Sequence, residues 1–341
     1  MLEELLRSWD GEEVVVRFDR PTGTWMFVCI HSTSRGPAGG GTRMKVYAEP
    51  ADALADAMRL AEAMTLKMGA VDMPFGGGKA VLAVPELLGG EARRGLLLRY
   101  ADLVTSLRGT FHTGPDVNTS VTDMDVIGER CPYVFCRSEE RGGSGDPGPQ
   151  TARGVFHGIR ASVRHVLGTD SLEGRVVLVQ GLGSVGAPLA EQLAAAGARV
   201  LVSDVLPERA ESFDAEAVPA EAVIGTECDV YAPCALGGTL NAETIPRLRC
   251  RIVAGSANNQ LAELEDAERL RDAGILYAPD FVINAGGVLH SLGTEHLGWT
   301  REQIEERFAA IGDALTEVYS KAETEGTTTE AAAEQLARTR L

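Results

Sequence analysis

Positive charge is in short supply in this chain of 341 residues: 32 lysines and arginines stand against 49 aspartates and glutamates, giving a formal net charge of −17 and a pI near 4.8. Such a surface repels phosphate backbones and anionic lipids alike, so neither a nucleic-acid nor a membrane partner is expected. No secretory leader is expected either, because Met1-Leu2-Glu3-Glu4-Leu5-Leu6-Arg7 is acidic where a leader is basic. No apolar run approaches the roughly 20 residues of a membrane span, and the chain reads as cytoplasmic. The six cysteines, at 29, 131, 136, 228, 234 and 250, form no CxxC pair that would begin a zinc or redox motif. They read as buried free thiols, and no metal is expected. A soluble enzyme acting on small molecules fits these exclusions.

The length favours two domains, since single cores tend to split above roughly 250 to 300 residues. Strand patterns at 14–18 and 25–30 precede Gly36-Pro37-Ala38-Gly39-Gly40-Gly41, a stretch that reads as loop. From Pro50 to Lys67 apolar residues recur at helical spacing, which puts Lys67 near a helix C-terminus. A turn over Met73 to Gly78, a strand over 80–84 with Lys79 at their junction, and a helix over 92–107 follow. The glycine- and proline-rich segment 137–150 reads as a connection, and the domain boundary is placed at 138/139.

From Thr151 onward helices alternate with strands, a pattern that implies a parallel sheet. An amphipathic run over 301–321 is expected to form a helix that returns to the first domain. Residues 1–138, completed by 290–341, would form an N-terminal α/β domain for substrate binding and oligomerisation. Residues 139–289 would form a Rossmann domain.

Arg175 to Gln180 runs directly into Gly181-Leu182-Gly183-Ser184-Val185-Gly186, and the next strand ends in Asp204, eighteen residues beyond Gly186. Strand, glycine turn, helix, strand and terminal acid in that order make a dinucleotide site. The glycines allow a tight turn and close approach of the pyrophosphate to a helix N-terminus. An acid at Asp204 would accept a ribose 2′-hydroxyl and repel a 2′-phosphate, which favours NAD over NADP. Arg209, one turn on, would soften that preference if it folded back. The alternative is a packing loop in which Asp204 merely caps a helix.

The N-terminal half places Lys67 and Lys79 on either side of a glycine turn. A P-loop is excluded, because Met73 stands where its first glycine belongs and Ala80 where Ser or Thr must bind magnesium. A lysine in such a place can act as acid or base or polarise a carbonyl. Thr113-Gly114-Pro115-Asp116-Val117-Asn118-Thr119 presents one carboxylate nearby. Taken singly, each lysine is also compatible with a solvated surface charge, and Asp116 with a turn residue.

Together these segments resemble the Glu/Leu/Phe/Val amino-acid dehydrogenase superfamily, and within it the phenylalanine dehydrogenases most closely. The similarity runs through 36–43, Met64-Thr65-Leu66-Lys67-Met68, 74–79, 113–119, Asp123-Met124-Asp125, 180–186, Ala232-Pro233-Cys234-Ala235, 255–259 and 277–287. It implies reversible NAD-dependent oxidative deamination of an L-amino acid to a 2-keto acid and ammonia, by a homo-oligomer assembled through the N-terminal domain. By motif position, Lys67 would bind the substrate carboxylate with the Gly40 and Gly41 backbone. Lys79 would act on the oxygen at the α-carbon, and Asp116 would exchange the proton with the amine.

On the cofactor side the resemblance implies Arg43, Thr151, Gly181, Gly183, Ser184, Val185, Gly186, Asp204, Val205, Cys234 and Ala235. Asn258 and Asn284 would meet both cofactor and substrate. Cys234 as a nucleophile is the less favoured reading, since no histidine lies in the neighbouring motifs. The prolines of Asp146-Pro147-Gly148-Pro149 depart from the family's hinge. Small residues at Gly39 and Gly114 imply room for an aromatic side chain, hence phenylalanine. The alternative is a leucine or valine dehydrogenase, or a non-catalytic NAD-binding protein. Ser291 would admit a tyrosine hydroxyl or face away.

Overall fold

A computed structural model describes residues 2–341, and the chain divides into two compact units. The first runs to Asp146 and takes in 295–297 and 337–341; the second comprises 147–294 and 298–336.

In the first unit a short helix α1 (Leu2–Ser8) precedes a hairpin of β1 (Glu13–Asp19) and β2 (Thr24–Ser32). Then come β3 (Ala38–Lys45), α2 (Pro50–Ala70), β4 (Gly76–Ala83), α3 (Gly90–Ser106), β5 (Phe111–Pro115) and α4 (Val121–Gly128). The sheet order is β1-β2-β4-β3-β5, with β3 parallel to both β4 and β5 and β2 antiparallel to β4. Alternation along the strands splits the side chains between two faces. Met26, Val28, Ala80 and Leu82 join Leu96, Tyr100 and Val104 of α3 on one face. Phe27, Cys29 and Val81 meet Ala53, Leu54, Ala57 and Ala61 of α2 on the other.

Both glycine stretches read as loop and turn are largely strand. Glycine is required there by crowding, because neighbouring chain approaches too closely for any side chain. A β-carbon on Gly76 would lie 1.8 Å from the Ser32 carbonyl oxygen, and one on Gly77 2.1 Å from the Thr65 nitrogen. The Gly77 contact lets α2 lie directly against β4, and Lys67 sits in the last turn of that helix. On the opposite face a buried triad of Thr42, Tyr100 and Thr113 hydroxyls ties β3, α3 and β5 together, with Thr42 to Tyr100 at 2.7 Å.

The second unit opens with α5 (Gly148–Leu167), then β6 (Val176–Gln180), α6 (Gly186–Ala195), β7 (Arg199–Ser203), α7 (Pro207–Glu211), β8 (Glu216–Ala217) and β9 (Val230–Pro233). It continues through β10 (Ile252–Val253), α8 (Glu265–Asp272), β11 (Leu276–Tyr277), α9 (Asp280–Ile283), α10 (Gly286–Glu295), α11 (Arg301–Glu325) and α12 (Thr329–Thr339). All six strands are parallel in the order β11-β10-β9-β6-β7-β8. This is the doubly wound order, whose switch point falls between β6 and β9.

Two expectations are revised. The boundary lies at Asp146/Pro147, at the far end of the expected connection, which is irregular up to Pro147 apart from a single turn at Glu139–Arg141 and whose last residues open α5. The run 301–321 is helical, yet α11 belongs to the second unit, where it packs on α5. Small residues at every fourth position of α5 make this possible: Gly154 lies against Ile311, Gly158 against Leu315, and the Ser162 hydroxyl meets the Tyr319 hydroxyl at 2.7 Å. The residues beyond Glu323 carry the end of α11 and all of α12.

Candidate active-site residues in the two units

The α2 face of the first sheet carries the reactive groups. Lys79 pairs in register with Cys29 on β2, while Gly41 pairs with Gly114 on β5. Asp116 follows β5 on the same face. Strand pairing between β3 and β4 holds at Gly39–Gly77 and at Thr42–Ala80, but lapses at Gly40 and Gly41 opposite Gly78 and Lys79. A β-carbon on Gly41 would come within 2.9 Å of the Asp116 β-carbon, so this glycine brings β3 against the carboxylate.

Lys79 is buried, 7% exposed, and its Nζ stands 3.0 Å from Asp116 Oδ2. Burial works to raise the Asp116 carboxyl, but Lys79 first and Arg43 second more than offset it and hold the group below the usual carboxylate range. The loop is braced from behind: the Asp116 N–H donates to the Thr119 hydroxyl at 2.8 Å, which in turn donates to the Thr42 carbonyl at 2.7 Å.

Arg43, expected at the cofactor, is engaged within its own unit. Its Nε donates to Asp116 Oδ2 and its Nη1 to Asp56 Oδ2, both at 2.9 Å. Asp56 also accepts the Tyr47 hydroxyl at 2.7 Å and Arg59 at 2.9 Å. Asp56, Tyr47 and Arg59 carried no motif signal; the one hint was an acid set among the apolar positions of α2.

Phe135 was missed by sequence as well. Residues 133–135 run beside β5, where the Phe135 N–H donates to the Thr113 carbonyl at 2.9 Å. Its ring would lie 2.2 Å from a β-carbon on Gly114. The space expected from a glycine at 114 is therefore filled by a phenyl ring. His112, also on this face, packs edge-on against His296 with ring centres 4.4 Å apart. Burial and then the neighbouring His296 push His112 down to about 4, which keeps the imidazole neutral.

In the second unit the glycine turn follows β6 at the switch point. Gly181 has φ +94°, a left-handed conformation that favours glycine. A β-carbon on Gly186 would lie 1.8 Å from the Gly181 carbonyl oxygen, and one on Gly181 2.8 Å from the Ala235 β-carbon. Gly183 is different, because a β-carbon there meets nothing within 4 Å. Its side faces open space above the N-terminus of α6, the cradle that a pyrophosphate would occupy. Ser184 is exposed and Val185 partly so.

Asp204 directly follows β7, its carboxylate accepting the Leu182 N–H at 2.8 Å and the Leu206 N–H at 3.0 Å. Burial opposes the charge, but these N–H groups outweigh it and keep the acid below its ordinary value. Each oxygen retains a lone pair for a ribose hydroxyl, while exposed Val205 follows. Cys234 N–H donates to the Gln180 carbonyl at 2.7 Å, and burial pushes its thiol up, which suits packing and not nucleophilic attack. Buried Asn284 donates to the Ser256 carbonyl at 3.1 Å and to Asn258 Oδ1 at 2.8 Å. The Thr151 hydroxyl donates to the Pro147 carbonyl at 2.9 Å. Ser291 is buried, its hydroxyl donating to the Gly287 carbonyl at 2.8 Å. These residues fit a dinucleotide.

One unit is doubly wound with a glycine cradle and the other pairs a buried lysine with a half-buried aspartate, the parts of an amino-acid dehydrogenase. The chain belongs to the Glu/Leu/Phe/Val dehydrogenase family: residues 14–133 match its dimerisation domain and residues 204–341 its Glutamate/Leucine/Phenylalanine/Valine dehydrogenase domain. It is 42% identical to a leucine dehydrogenase of Bacillus cereus, over 99% of this chain and 93% of the relative. To a valine dehydrogenase of Streptomyces coelicolor it is 42% identical, over 100% and 95%. The solved L-tryptophan dehydrogenase of Nostoc punctiforme superposes with a TM-score of 0.86 at 37% identity, covering 99% of this chain and 98% of that one.

Proposed function

We propose that this chain catalyses NAD-dependent, reversible oxidative deamination of a branched-chain L-amino acid, leucine or valine, to the 2-keto acid and ammonia. The observation that carries the reading is the pairing of buried Lys79 with half-buried Asp116 on a glycine-lined sheet face. Bound NAD would supply the acceptor for the α-hydride, held at Gly181 to Gly186 and Asp204.

The residues of the first unit have the chemistry that the rest of the reaction needs. Asp116 takes a proton from the substrate ammonium, since the nitrogen must hold a free electron pair when the α-hydrogen leaves as hydride. Lys79 donates to the oxygen at the α-carbon, stabilising it as water adds to the iminium and ammonia departs. Lys67 pairs with the substrate carboxylate beside the Gly40 and Gly41 backbone. Asn284, fixed by Ser256 and Asn258, orients groups at the nicotinamide end.

Choice of side chain separates this reading from the phenylalanine dehydrogenase expected from sequence. Phe135 over Gly114 narrows the space that favoured an aromatic substrate, and the leucine and valine dehydrogenase relatives agree with a branched aliphatic one. Similarity to a tryptophan dehydrogenase keeps an aromatic substrate as the second reading. Assembly as a homo-oligomer through the N-terminal unit is proposed as well, supported by its match to a dimerisation domain. A panel of L-amino acids with NAD tests the substrate. Leucine or valine should give the highest kcat/KM, and a clear preference for phenylalanine or tryptophan would reverse the assignment.

A further inference from the structure

Both cations that hold Asp116 use the same oxygen. Lys79 Nζ and Arg43 Nε stand 3.0 and 2.9 Å from Oδ2, and among the described residues none bonds to Oδ1. Two charged donors occupy the lone pairs of Oδ2, so a proton arriving there would displace one of them. Arg43 is itself fixed. Its other arm reaches Asp56 on α2, whose Oδ2 also accepts the Tyr47 hydroxyl and whose Oδ1 accepts Arg59. A planar guanidinium can bridge two carboxylates in this way, whereas an ammonium delivers a point charge.

We propose that Arg43 is a positioning residue: anchored by Asp56, it pins Oδ2 of Asp116 so that Oδ1 is the oxygen that exchanges the proton with the substrate amine. The inference rests on the dehydrogenase reading above. In the step, an N–H bond of the ammonium breaks with its electron pair left on nitrogen, and an O–H bond forms at Oδ1. The proton returns to solvent when product leaves. Asp56 has a second effect, since its negative charge offsets part of the Arg43 charge felt by Asp116. Without that offset, two uncompensated cations would make the carboxylate a poorer proton acceptor.

The test uses full-length Arg43→Gln, Arg43→Lys, Asp56→Asn and the Arg43→Gln/Asp56→Asn pair, assayed beside wild type with its best amino acid. Arg43→Gln should lower kcat roughly 10- to 100-fold, the worth of a hydrogen bond to a charged group. KM for NAD should stay unchanged, and the solvent deuterium isotope effect on kcat should rise as proton transfer slows. Arg43→Lys should recover only part of the loss. Asp56→Asn should lower kcat less, and the double variant should be no worse than Arg43→Gln, because Asp56 acts through Arg43.

A raised KM for NAD with kcat kept would assign Arg43 to the cofactor and overturn the proposal. So would additive losses that track a fall in thermal stability, the mark of packing alone. Should Arg43→Gln fail to fold, Asp56→Asn carries the test: kcat falls with both KM values kept, or the proposal fails. A wild type inactive on every amino acid overturns the dehydrogenase reading and this inference together. An active wild type with an unaffected Arg43→Gln overturns only the latter.

Discussion

Substituting alanine at Gly183 and at Gly186 separates what the glycine turn does for the fold from what it does for the cofactor. At Gly186 the new β-carbon would stand 1.8 Å from a backbone oxygen, which no rotamer can relieve. Forcing extra atoms into such a site costs about 1–3 kcal/mol or more, so Gly186→Ala should lower the melting temperature of the free protein. At Gly183 the β-carbon meets nothing within 4 Å. Removing glycine's freedom in the unfolded chain stabilises by about 0.4–1 kcal/mol where the backbone permits, so Gly183→Ala should melt at or slightly above wild type.

Its cost should appear only with ligand. A methyl group in the cradle blocks close approach of pyrophosphate to backbone N–H groups, and a charged hydrogen bond lost is worth about 1.5–3 kcal/mol, or roughly 10- to 150-fold in Kd. Thermal melts without ligand and calorimetric titration with NADH give both numbers. A Gly183→Ala protein that melts normally and binds NADH as tightly as wild type would refute the pyrophosphate cradle.

Asp116→Asn and Lys79→Ala should each lower kcat by orders of magnitude with NADH affinity nearly kept, measured by steady-state rates and NADH titration. Phe135→Ala removes a ring that is 5% exposed and should destabilise by about 3–5 kcal/mol. In return it should raise the phenylalanine-to-leucine ratio of kcat/KM about tenfold or more, the scale on which apolar pockets discriminate. An unchanged ratio would remove Phe135 from the substrate wall. Glu330 on α12 has a buried Oε2 with no partner, and burial, then Asp280 and Glu334, push its carboxyl up to about 8 from the ordinary 4.5. The folded chain therefore holds a proton that the unfolded chain has released, and stability falls as pH rises from about 4.5 to about 8. Between pH 6 and 8 the loss is about 2–3 kcal/mol. Glu330→Gln should flatten that fall in melting temperature, and identical pH profiles for both proteins would contradict it.

The cofactor half was legible because its signal is local: strand, turn, helix and acid lie within thirty residues, and Asp204 does meet the turn, at Leu182. The N-terminal half was legible in its motifs but not in its geometry. Glycine signals a turn when it supplies a positive φ, as at Gly181, yet Gly76 to Gly78 and Gly40 to Gly41 are glycine because strands and α2 crowd them. Sequence spacing does not distinguish the two causes. Phe135 is twenty-one residues from the Gly114 it covers, and Asp56 thirteen from Arg43, so both contacts depend on tertiary packing that no local pattern encodes. For α11, the small residues that invite it, Gly154 and Gly158, lie on another helix altogether.

Hydride leaving the α-carbon is the central claim, and L-leucine carrying deuterium at that carbon follows it directly. Incubated with the protein and NAD, it should yield reduced cofactor bearing the deuterium at C4 of the nicotinamide together with the unlabelled 2-keto acid. The same label should slow turnover if hydride transfer limits the rate. Reduced cofactor without deuterium, or no reduced cofactor from leucine, valine or any other L-amino acid, would contradict the account.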